Sequence, residues 1–354
     1  MHTYCITGGC GFIGSNFVRY LLNKYGSNIT IINVDCLTYA GNPLNLKDIW
    51  DEPRYFFRKI DICDKSALKK LFKEFDINYI VNFAAESHVD RSIQNPEAFV
   101  STNITGTYTL LETARQSWET EQGFLPERKF IQISTDEVYG SLGKTGCFTE
   151  NSPLAPRSPY SASKASADLL VKAYSDTYNL PVNITRCSNN YGPYQFPEKL
   201  IPLVINNCLN GSELPVYGDG KNIRDWLYVE DHCGAIDLVI NKGLPGEVYN
   251  IGGQCEKQNI EIIKAVIRII SGLLPDSKNI GEVLIKYVND RKGHDRRYAI
   301  DSSKIRKELG WYPQTGFEEG ILETVKWYLD NRDWLLDVTS GQYNEYYKQM
   351  YKGK

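Results

Sequence analysis

In its first half the chain alternates short apolar runs with amphipathic segments. The apolar runs have the length of β-strands, and the amphipathic segments have the spacing and length of α-helices. The predicted strands span residues 3–7, 30–34, 55–59, 79–83 and 129–134, and the predicted helices between them span residues 14–25, 65–75 and 105–119. Strands and helices in alternation predict an α/β fold, with a Rossmann-like doubly wound parallel sheet covered by helices on both faces.

The pattern changes after about residue 190, where Pro, Gly and aromatic residues become frequent. Here the sequence predicts a short helix at 200–209 and a hairpin-like pair of strands at 215–217 and 226–229. We interpret this half as a smaller, mixed α/β C-terminal lobe. A segment at 247–251 could return to the main sheet, so we expect the two lobes to be interleaved. The predicted boundaries are residues 1–190 and about 230–255 for the first lobe, and about 191–229 and 256–354 for the second.

The composition argues against several functional classes. The 354 residues carry 40 Lys and Arg against 43 Asp and Glu, a net charge of −3, whereas a nucleic-acid partner usually requires a basic excess. No apolar run reaches the roughly 18 residues of a membrane span, and the N-terminus lacks a signal-peptide pattern, so we expect a cytoplasmic protein without a membrane partner. The nine cysteines are scattered without a CxxC pair and there are four histidines, which predicts reduced thiols and no metal site.

A glycine-rich turn links the first predicted strand to the first predicted helix. Gly8, Gly11 and Gly14 have the spacing GxxGxxG, which lets backbone amides approach a pyrophosphate at the helix N-terminus. Alone, this pattern is also that of an ordinary strand–helix loop. Asp35 at the end of the second strand adds specificity, since a carboxylate there accepts hydrogen bonds from ribose hydroxyls and repels a 2′-phosphate. The sequence therefore predicts a dinucleotide site that favours NAD over NADP.

Further candidate cofactor contacts follow the third and fourth predicted strands. Asp61 and Ile62 come after the third strand, and the run Ala84-Ala85-Glu86-Ser87 comes after the fourth. Both runs lie at carboxyl ends of strands, where adenine and the nicotinamide ribose would be reached. Close packing would also explain the two alanines, and the two explanations are compatible.

Tyr160 and Lys164 have the i, i+4 spacing that places two side chains on one face of a helix. A tyrosine is a poor base at its usual pKa of about 10, but a neighbouring ammonium group and a nicotinamide cation favour the phenolate. A phenolate can take a proton from an alcohol while a hydride leaves carbon. A solvated helix face would show the same spacing. Two features favour chemistry on an alcohol over a solvated face. The glycine turn lies upstream, and Thr135 could form a second hydrogen bond to the same substrate oxygen.

Two adjacent carboxylates, Asp136 and Glu137, follow Thr135 at the end of the fifth predicted strand. Two carboxyls with different protonation states can act as acid and base, and proximity of like charges with uneven burial can supply that difference. A pair of surface carboxylates would give the same sequence, but ligand sites of α/β sheets lie at strand ends. The pair therefore indicates that a proton and a hydroxyl are removed in addition to a hydride.

Several segments together resemble one family over nearly the whole chain. They are TGGCGFIGSNFV (7–18), NFAAESHVDRSI (82–93), STDEVYG (134–140), PYSASKA (159–165), RCSNNYGPYQFPEKLIPL (186–203), GDGKNIRDWLYVEDHC (218–233) and DRKGHDRRYAID (290–301). The first and fourth are typical of the extended short-chain dehydrogenase/reductase family as a whole. The Asp-Glu pair and the last three segments resemble its dTDP-glucose 4,6-dehydratases much more specifically.

The resemblance implies a lyase whose NAD is tightly bound and regenerated in each turnover. A sugar C4 hydroxyl is oxidised, the C5 hydrogen becomes acidic, water leaves across C5 and C6, and the hydride returns to C6. Tyr160 is implied as the base for oxidation, Asp136 as the acid and Glu137 as the base for elimination. The implied NAD contacts are Gly8, Gly11, Phe12, Ile13, Gly14, Asp35, Cys36, Leu37, Thr38, Asp61, Ile62, Phe83, Ala84, Ala85, Ser87, Thr102, Tyr160, Lys164 and Asn190.

The resemblance also implies that the second lobe binds dTDP-glucose. Arg224 and Arg291 are candidates for the pyrophosphate, because a guanidinium matches phosphate oxygens. The implied nucleotide-sugar contacts are Ser87, Thr135, Asn189, Lys199, Leu200, Pro215, Val216, Tyr217, Arg224, Asn259, Asp290, Arg291 and His294. Purely structural explanations compete for several of these residues: a solvated basic run for Arg291, Arg296 and Arg297, a core aromatic for Tyr217 and a packed, hydrogen-bonded imidazole for His88.

Other functions remain open from the sequence. One is a dehydratase for a CDP-, UDP- or GDP-linked sugar, since no residue here reads the thymine methyl by its chemistry alone. Another is a nucleotide-sugar 4-epimerase, which needs the Tyr and Lys but no Asp-Glu pair. A non-catalytic NAD-binding regulator is disfavoured, because Thr135, Tyr160 and Lys164 are all present. The resemblance further implies a homodimer formed through helices near 105–119 and 160–178.

Overall fold

The computed structural model describes residues 1–275, 280–290 and 294–340. Its strands are β1 (His2–Thr7), β2 (Ile29–Val34), β3 (Tyr55–Arg58), β4 (Tyr79–Asn82), β5 (Glu119–Thr120), β6 (Gly123–Phe124), β7 (Lys129–Thr135), β8 (Val182–Cys187), β9 (Asn189–Tyr191), β10 (Leu214–Tyr217), β11 (Ile223–Tyr228), β12 (Val248–Ile251), β13 (Glu256–Gln258) and β14 (Ile285–Val288). Its helices are α1 (Phe12–Tyr25), α2 (Lys65–Glu74), α3 (Val89–Gln94), α4 (Pro96–Phe99), α5 (Thr107–Trp118), α6 (Pro159–Tyr178), α7 (Leu200–Leu209), α8 (Val229–Lys242), α9 (Asn259–Leu273), α10 (Ser303–Leu309), α11 (Phe317–Asp330) and α12 (Arg332–Val338).

Seven strands form one parallel sheet in the order β12-β8-β7-β4-β1-β2-β3. The chain runs outward from β1 through β2 to β3 and then returns to the other side of β1 with β4. The direction of winding therefore reverses between β1 and β4, and a crevice opens there at the carboxyl ends of the strands. The predicted α/β class and doubly wound sheet are confirmed.

Helices cover both faces of this sheet, so its strands are buried on two sides. All six residues of β2 (ITIINV) are buried, as expected for a parallel strand with helices above and below. On one face Phe17 of α1 and Ile236 of α8 pack into the core, and on the other face Leu110 of α5 and Val171 of α6 do so. The apolar stripes of these helices thus hold the strand ends in fixed relative positions.

The second lobe has its own core and smaller sheets. Helices α7, α9 and α11 pack together through side chains such as Ile205, Ile263 and Val325. Strand β10 pairs in parallel with β14, while β11 lies between β9 and β13. The hairpin predicted from 215–217 and 226–229 is therefore wrong. Each of the two strands pairs instead with a distant segment, and the turn at 218–220 separates them.

The C-terminal half contributes to both lobes. Strand β12 pairs with β8 at the edge of the main sheet, where the segment 247–251 was expected to return. Ile305 of α10 and Trp311 also pack into the core of the first lobe, although they lie in the segment predicted for the second. The chain therefore crosses between the lobes more often than the predicted boundaries provide for.

Within the described ranges, every helix is too short or too polar to traverse a lipid bilayer. The same ranges contain no group of three or more His, Cys, Asp or Glu side chains placed to hold a metal ion. The nine cysteines all lie in the described part of the chain as free thiols, and five of them are buried. Most thiols thus pack as small apolar side chains.

Candidate active site

A cavity of about 300 Å³ lies at the carboxyl ends of the sheet, beside the crevice between β1 and β4. All five predicted catalytic residues line it: Thr135, Asp136, Glu137, Tyr160 and Lys164. Every predicted cofactor contact except Leu37 lines it too. Of the predicted substrate contacts, Ser87, Asn189 and Lys199 join Thr135 in the lining. The structure therefore brings the proposed chemistry and the glycine turn into one space.

The glycine turn at the end of β1 is tightly packed. Gly8 has φ +70°, and a Cβ atom there would lie 2.7 Å from the backbone nitrogen of Ala84. A Cβ atom on Gly14 would lie 2.3 Å from the carbonyl oxygen of Gly8. Helix α1 begins directly after this turn, and Phe12 and Ile13 line the cavity. The backbone amides at a helix N-terminus attract anions, so a pyrophosphate fits this position.

Asp35 directly follows β2 and is fixed by the backbone around it. Its Oδ2 accepts a hydrogen bond from the Cys10 amide at 2.9 Å, and its Oδ1 accepts one from the Leu37 amide at 2.8 Å. Burial raises the pKa of Asp35, and these two amide donors oppose the shift. A carboxylate oxygen has more than one lone pair, so both oxygens can still accept from ribose hydroxyls. Leu37 itself acts on the site through its amide bond to Asp35.

A π-helical turn, Val100–Gly106, carries Thr102 into the cavity lining. Its neighbour Asn103 accepts a hydrogen bond from the Glu86 amide at 2.9 Å and donates to the Glu86 carbonyl at 3.0 Å. Asn103 also donates to the Ser163 hydroxyl at 2.8 Å. These bonds hold the loop after β4 against α6. The sequence patterns did not identify Asn103. π-Helical turns are frequent at functional sites.

The two adjacent carboxylates sit on a helical turn, Asp136–Tyr139, that follows β7. Thr135 caps this turn by accepting a hydrogen bond from the Glu137 amide at 3.2 Å. Asp136 is 2% exposed, its Oδ1 lies 3.3 Å from the Thr135 hydroxyl, and its Oδ2 has no partner among the described residues. Burial raises the pKa of Asp136 well above its usual range, and the charge of Glu137 adds to this. Burial and the neighbouring charge thus both favour the protonated form of Asp136.

Tyr160 and Lys164 lie on the buried face of α6, whose N-terminus is fixed by a capping box between Ser158 and Ser161. Burial, and then the charges of Glu137 and other neighbours, raise the pKa of Tyr160 well above its usual value, while the Thr135 hydroxyl lowers it. The Lys164 ammonium donates to the Ile133 carbonyl at 2.6 Å. The chain's own groups therefore disfavour the phenolate, contrary to the expected effect of the ammonium group.

A buried ion pair anchors α6 to the sheet beneath the cavity. Arg186 of β8 donates from Nε to Asp168 of α6 at 2.9 Å, and from Nη1 to the Tyr139 hydroxyl at 2.9 Å. That hydroxyl donates to Asn250 of β12 at 2.8 Å. The helix that carries Tyr160 is consequently fixed relative to the strand ends that carry its reaction partners.

The other predicted substrate contacts lie in the second lobe, outside the cavity lining: Leu200, Pro215, Val216, Tyr217, Arg224, Asn259, Asp290 and His294. Arg291 lies outside the described residues. Several of this set are close together: the Tyr217 ring packs edge-on against His294, and His294 Nδ1 lies 2.5 Å from Asp290 Oδ1. The Tyr217 hydroxyl reaches Asp90 of the first lobe at 3.5 Å. Val216 packs into the second core.

Arg224 links this second group to the catalytic pair. Its guanidinium donates to the Asp295 carbonyl at 3.0 Å and lies 4.3 Å from the centre of the Tyr298 ring. Its positive charge also lowers the pKa of Asp136, which opposes the effect of burial. A cation in this place can act on both a substrate phosphate and the acid.

Arg296, Arg297 and His88 have different surroundings in the structure. Arg296 is exposed and pairs with Asp219, as a solvated basic run would. Arg297 is 8% exposed and binds Glu256 through two nitrogens, so that explanation fails for it. His88 is buried and accepts a hydrogen bond from the Arg91 amide at the start of α3, as a packed imidazole would.

Several cavity-lining residues were missed from the sequence, among them Cys187, Gln195 and Glu198. Glu198 also bonds Tyr39 and Arg91, which are far away in the chain. Two signals were available for these residues. Cys187 ends β8, and all of Cys187, Gln195 and Glu198 lie in the segment 186–203 that carries the resemblance.

Comparison with known proteins places the chain in a family. The family model described as GDP-mannose 4,6 dehydratase matches residues 5–324. The chain is 51% identical to the dTDP-glucose 4,6-dehydratase of Shigella flexneri, over 99% of each chain. Among solved structures, the dTDP-glucose 4,6-dehydratase of Bacillus anthracis in complex with NAD is 51% identical, with a TM-score of 0.85 over 96% of this chain and 100% of that one.

A second solved structure agrees with the first. The dTDP-glucose 4,6-dehydratase of Streptomyces venezuelae with NAD bound is 47% identical, with a TM-score of 0.86 over 95% of this chain and 99% of that one. The resemblance found in the sequence is confirmed by these matches. The chain belongs to the dTDP-glucose 4,6-dehydratase family.

Proposed function

We propose that the protein dehydrates dTDP-glucose to dTDP-4-dehydro-6-deoxyglucose with NAD that stays bound and is regenerated in each turnover. One observation carries this proposal: a buried Asp136, whose pKa burial raises, stands beside Glu137 in the cavity that also holds Tyr160, Lys164 and the glycine turn. Oxidation or epimerisation at C4 needs the tyrosine and the lysine alone. An acid–base pair in the same space is what elimination of water adds.

The residues present suit NAD. The amides of the glycine turn and the start of α1 would hold the pyrophosphate, Asp35 the adenosine ribose, and Asp61 and Ile62 the adenine side. When bound, NAD accepts a hydride from sugar C4 and later returns it to C6. The buried Lys164, anchored on Ile133, stands where a nicotinamide ribose hydroxyl would be within its reach.

In the oxidation step, Tyr160 takes the proton of the C4 hydroxyl and Thr135 donates a hydrogen bond to the same oxygen. Because burial and nearby negative charge raise the pKa of Tyr160, a compensating positive charge must lie close to it when it acts as a base. The oxidised nicotinamide ring would supply such a charge when bound, in addition to the Lys164 ammonium group on the same helix face. We therefore expect Tyr160 to be a better base in the NAD-loaded protein.

In the elimination step, Asp136 gives its proton to the departing C6 hydroxyl, and Glu137 removes the proton from C5. The two carboxyls differ in burial, since Asp136 is enclosed and Glu137 is half-buried. Uneven burial keeps one carboxyl protonated while its neighbour can be charged. The same Glu137 can return a proton to C5 after the hydride has reached C6.

Substitution of the pair tests the assigned roles. Asp136→Asn and Glu137→Gln should each slow dehydration by about 10²- to 10⁴-fold, the usual contribution of a positioned acid or base. Oxidation at C4 should continue, so adding dTDP-glucose should still produce reduced nicotinamide absorbance. Glu121→Gln, at an exposed carboxylate between β5 and β6, is the control and should have wild-type rates. Intact dehydration in the double variant would overturn the roles and leave the fold assignment standing.

The substrate is tested by offering dTDP-, UDP-, CDP- and GDP-glucose side by side. The proposal expects a 4-keto-6-deoxy product from the dTDP sugar at the highest kcat/KM. The description of the matching family model makes the GDP sugar the main rival. Failure to form any keto product from dTDP-glucose would refute the proposal, and a C4 epimer in its place would identify an epimerase.

We also propose a homodimer that acts in the cytoplasm. Leu169 of α6 is 61% exposed, and Tyr108 is exposed on α5, which packs against α6; these apolar side chains support a helix-on-helix contact between copies. The nine free thiols support a reducing compartment. Sedimentation of wild-type protein and of Leu169→Glu should give a dimer and a monomer, and cell fractionation tests the location. A wild-type monomer at micromolar concentration would contradict the dimer.

A further inference from the structure

Three side chains from separate segments meet above the cavity. The Tyr39 hydroxyl donates to Glu198 Oε1 at 3.0 Å, and Arg91 Nε donates to Glu198 Oε2 at 3.1 Å. The Arg91 guanidinium also lies 3.8 Å from the centre of the Tyr39 ring. We call Tyr39, Arg91 and Glu198 the clasp. Each member faces the other two, so the clasp is a closed set of contacts.

The sheet order shows what the clasp crosses. Tyr39 lies in the loop after β2, and Arg91 lies in α3, which follows β4. Strands β2 and β4 are the two neighbours of β1 in the sheet. A link between the segments that follow them must therefore pass over the turn that follows β1, which is the glycine turn. Glu198, just before α7, joins this link to the second lobe.

Glu198 is the buried member of the clasp, whereas Tyr39 is partly buried and the Arg91 side chain is 26% exposed. Glu198 is 8% exposed, and each of its carboxylate oxygens has a hydrogen-bond donor, one of them a cation. The ring of Phe196 packs edge-on against Tyr39 at 5.8 Å, which screens the contacts further. Separation of these groups would leave a buried charge without its partner, which is strongly unfavourable. The clasp is thus built to stay closed.

The other end of the same loop is also attached to the second lobe. Trp334 of α12 donates from its indole nitrogen to Asn45 Oδ1 at 2.8 Å. Asn45 in turn donates to the carbonyl of Cys10, within the glycine turn, at 2.9 Å. Segment 36–45 is consequently held at Tyr39 and at Asn45, and Cys36, Thr38, Ala40 and Gly41 of this segment line the cavity.

We propose that Tyr39, Arg91 and Glu198 are positioning residues that retain NAD, by keeping segment 36–45 closed over the pyrophosphate turn. The inference rests on the proposed function, because a cofactor that is regenerated in each turnover has no need to leave. NAD can depart only when the bonds of Glu198 to Tyr39 and Arg91 open. The residues act on the rate of cofactor release rather than on the chemical steps.

Tyr39→Phe is the direct test, since it removes one hydroxyl and keeps the ring on which Arg91 stacks. Protein purified with its NAD is mixed with isotopically labelled NAD, and incorporation of the label is followed by mass spectrometry. Release should become about tenfold faster or more, the factor expected for loss of one hydrogen bond to a charged group. With NAD in excess, kcat should stay near that of the wild type.

Tyr25→Phe is the matched control. The Tyr25 hydroxyl also bonds a buried carboxylate, Asp237 at 2.9 Å, but it lies outside the cavity lining. Its exchange rate should equal that of the wild type, whatever happens to its unfolding temperature. Glu198→Gln should accelerate exchange too, and the double variant with Tyr39→Phe should show less than the product of the two single effects, because both act through one bond.

The possible results distinguish failure of the clasp from failure of the proposed function. Wild-type exchange in Tyr39→Phe and Glu198→Gln overturns the clasp and leaves the proposed function intact. Equal acceleration in Tyr25→Phe overturns it as well, since the effect would then follow general stability. A wild-type protein that holds no NAD and incorporates no label refutes the proposed function and the clasp with it.

Discussion

Two buried carboxylates that line the same cavity have different surroundings. Glu198 has a donor on each oxygen, and one of those donors is the Arg91 guanidinium. Asp136 is even less exposed, yet one of its oxygens contacts a single hydroxyl and the other has no partner within the described part of the chain. Glu198, which has donors on both oxygens, links three segments of the chain. Asp136, whose pKa is raised, favours the form that carries the proton needed by a general acid. Neutral or charged, each acid has the environment that its proposed task requires.

The largest loss of stability is expected when a buried carboxylate loses its positively charged partner. Arg186→Met removes the cation bound to Asp168 in the anchor of α6, where the two side chains are 6% and 1% exposed. Removal of one partner of a buried ion pair costs about 3 to 5 kcal/mol. The free energy of unfolding, measured in urea, should fall by that amount.

The double variant Arg186→Met with Asp168→Asn is the control for this experiment. It removes the orphaned charge as well, so most of the lost stability should return. Tyr139 and Asn250 would keep their own hydrogen bond in both variants. A loss of less than about 1 kcal/mol in the single variant, below the usual range for such pairs, would show that water or a rearrangement compensates Asp168.

A gain in stability is expected when the buried carboxyl of Asp136 is replaced by a neutral amide. The folded-state pKa of Asp136 is raised above the usual 3.8, so the folded protein binds this proton more tightly than the unfolded chain does. Below pH 3.8 both states are protonated and Asp136 carries no penalty. As the pH rises toward the raised value, the wild type loses about 1.4 kcal/mol per unit. Asp136→Asn escapes this loss.

Asp136→Asn should therefore be inactive in dehydration and more stable than the wild type at neutral pH. Its advantage should vanish near pH 4 and grow as the pH rises, in unfolding curves recorded at equal NAD content. A variant that is less stable than the wild type at pH 7 would mean that the carboxyl has a structural bond which the asparagine cannot make. Stability gained where activity is lost is the mark of a strained functional group.

Much of the first lobe could be predicted from the sequence because its rules are local. Strands of the main sheet lie where the sequence has apolar runs. The residues Thr135 and Asp136 stand at the end of one of these strands and directly after it. The i, i+4 spacing of Tyr160 and Lys164 likewise depends only on helix geometry. The electrostatics could not be predicted in this way, since the pKa of Tyr160 is set by burial and by what surrounds it.

The second lobe and the clasp depend on contacts between distant parts of the chain. Strand β10 pairs with β14 across about 70 residues, so a hairpin with the nearer β11 was the local but wrong solution. Tyr39 and Glu198 are 159 residues apart, and no sequence spacing pairs them, although Glu198 lies in the segment 186–203 that carries the resemblance. Arg297 similarly finds Glu256 only in the folded protein. Such pairings are decided by tertiary packing, which periodicity and spacing do not encode.

The smallest effect is expected for an acid that is paired but fully in water. Asp219 binds the Arg296 guanidinium through both oxygens, and this bond lowers the pKa of Asp219 below its usual value. The stability it contributes is therefore present above pH 3.8 and lost as the pH falls through the folded-state pKa, the reverse of Asp136. Both side chains are exposed, so solvent and salt screen the pair. Asp219→Asn should lower the unfolding temperature barely measurably at low salt and not at all in high salt. A large, salt-independent loss would show that the contrast among these acids comes from their partners alone and not from burial.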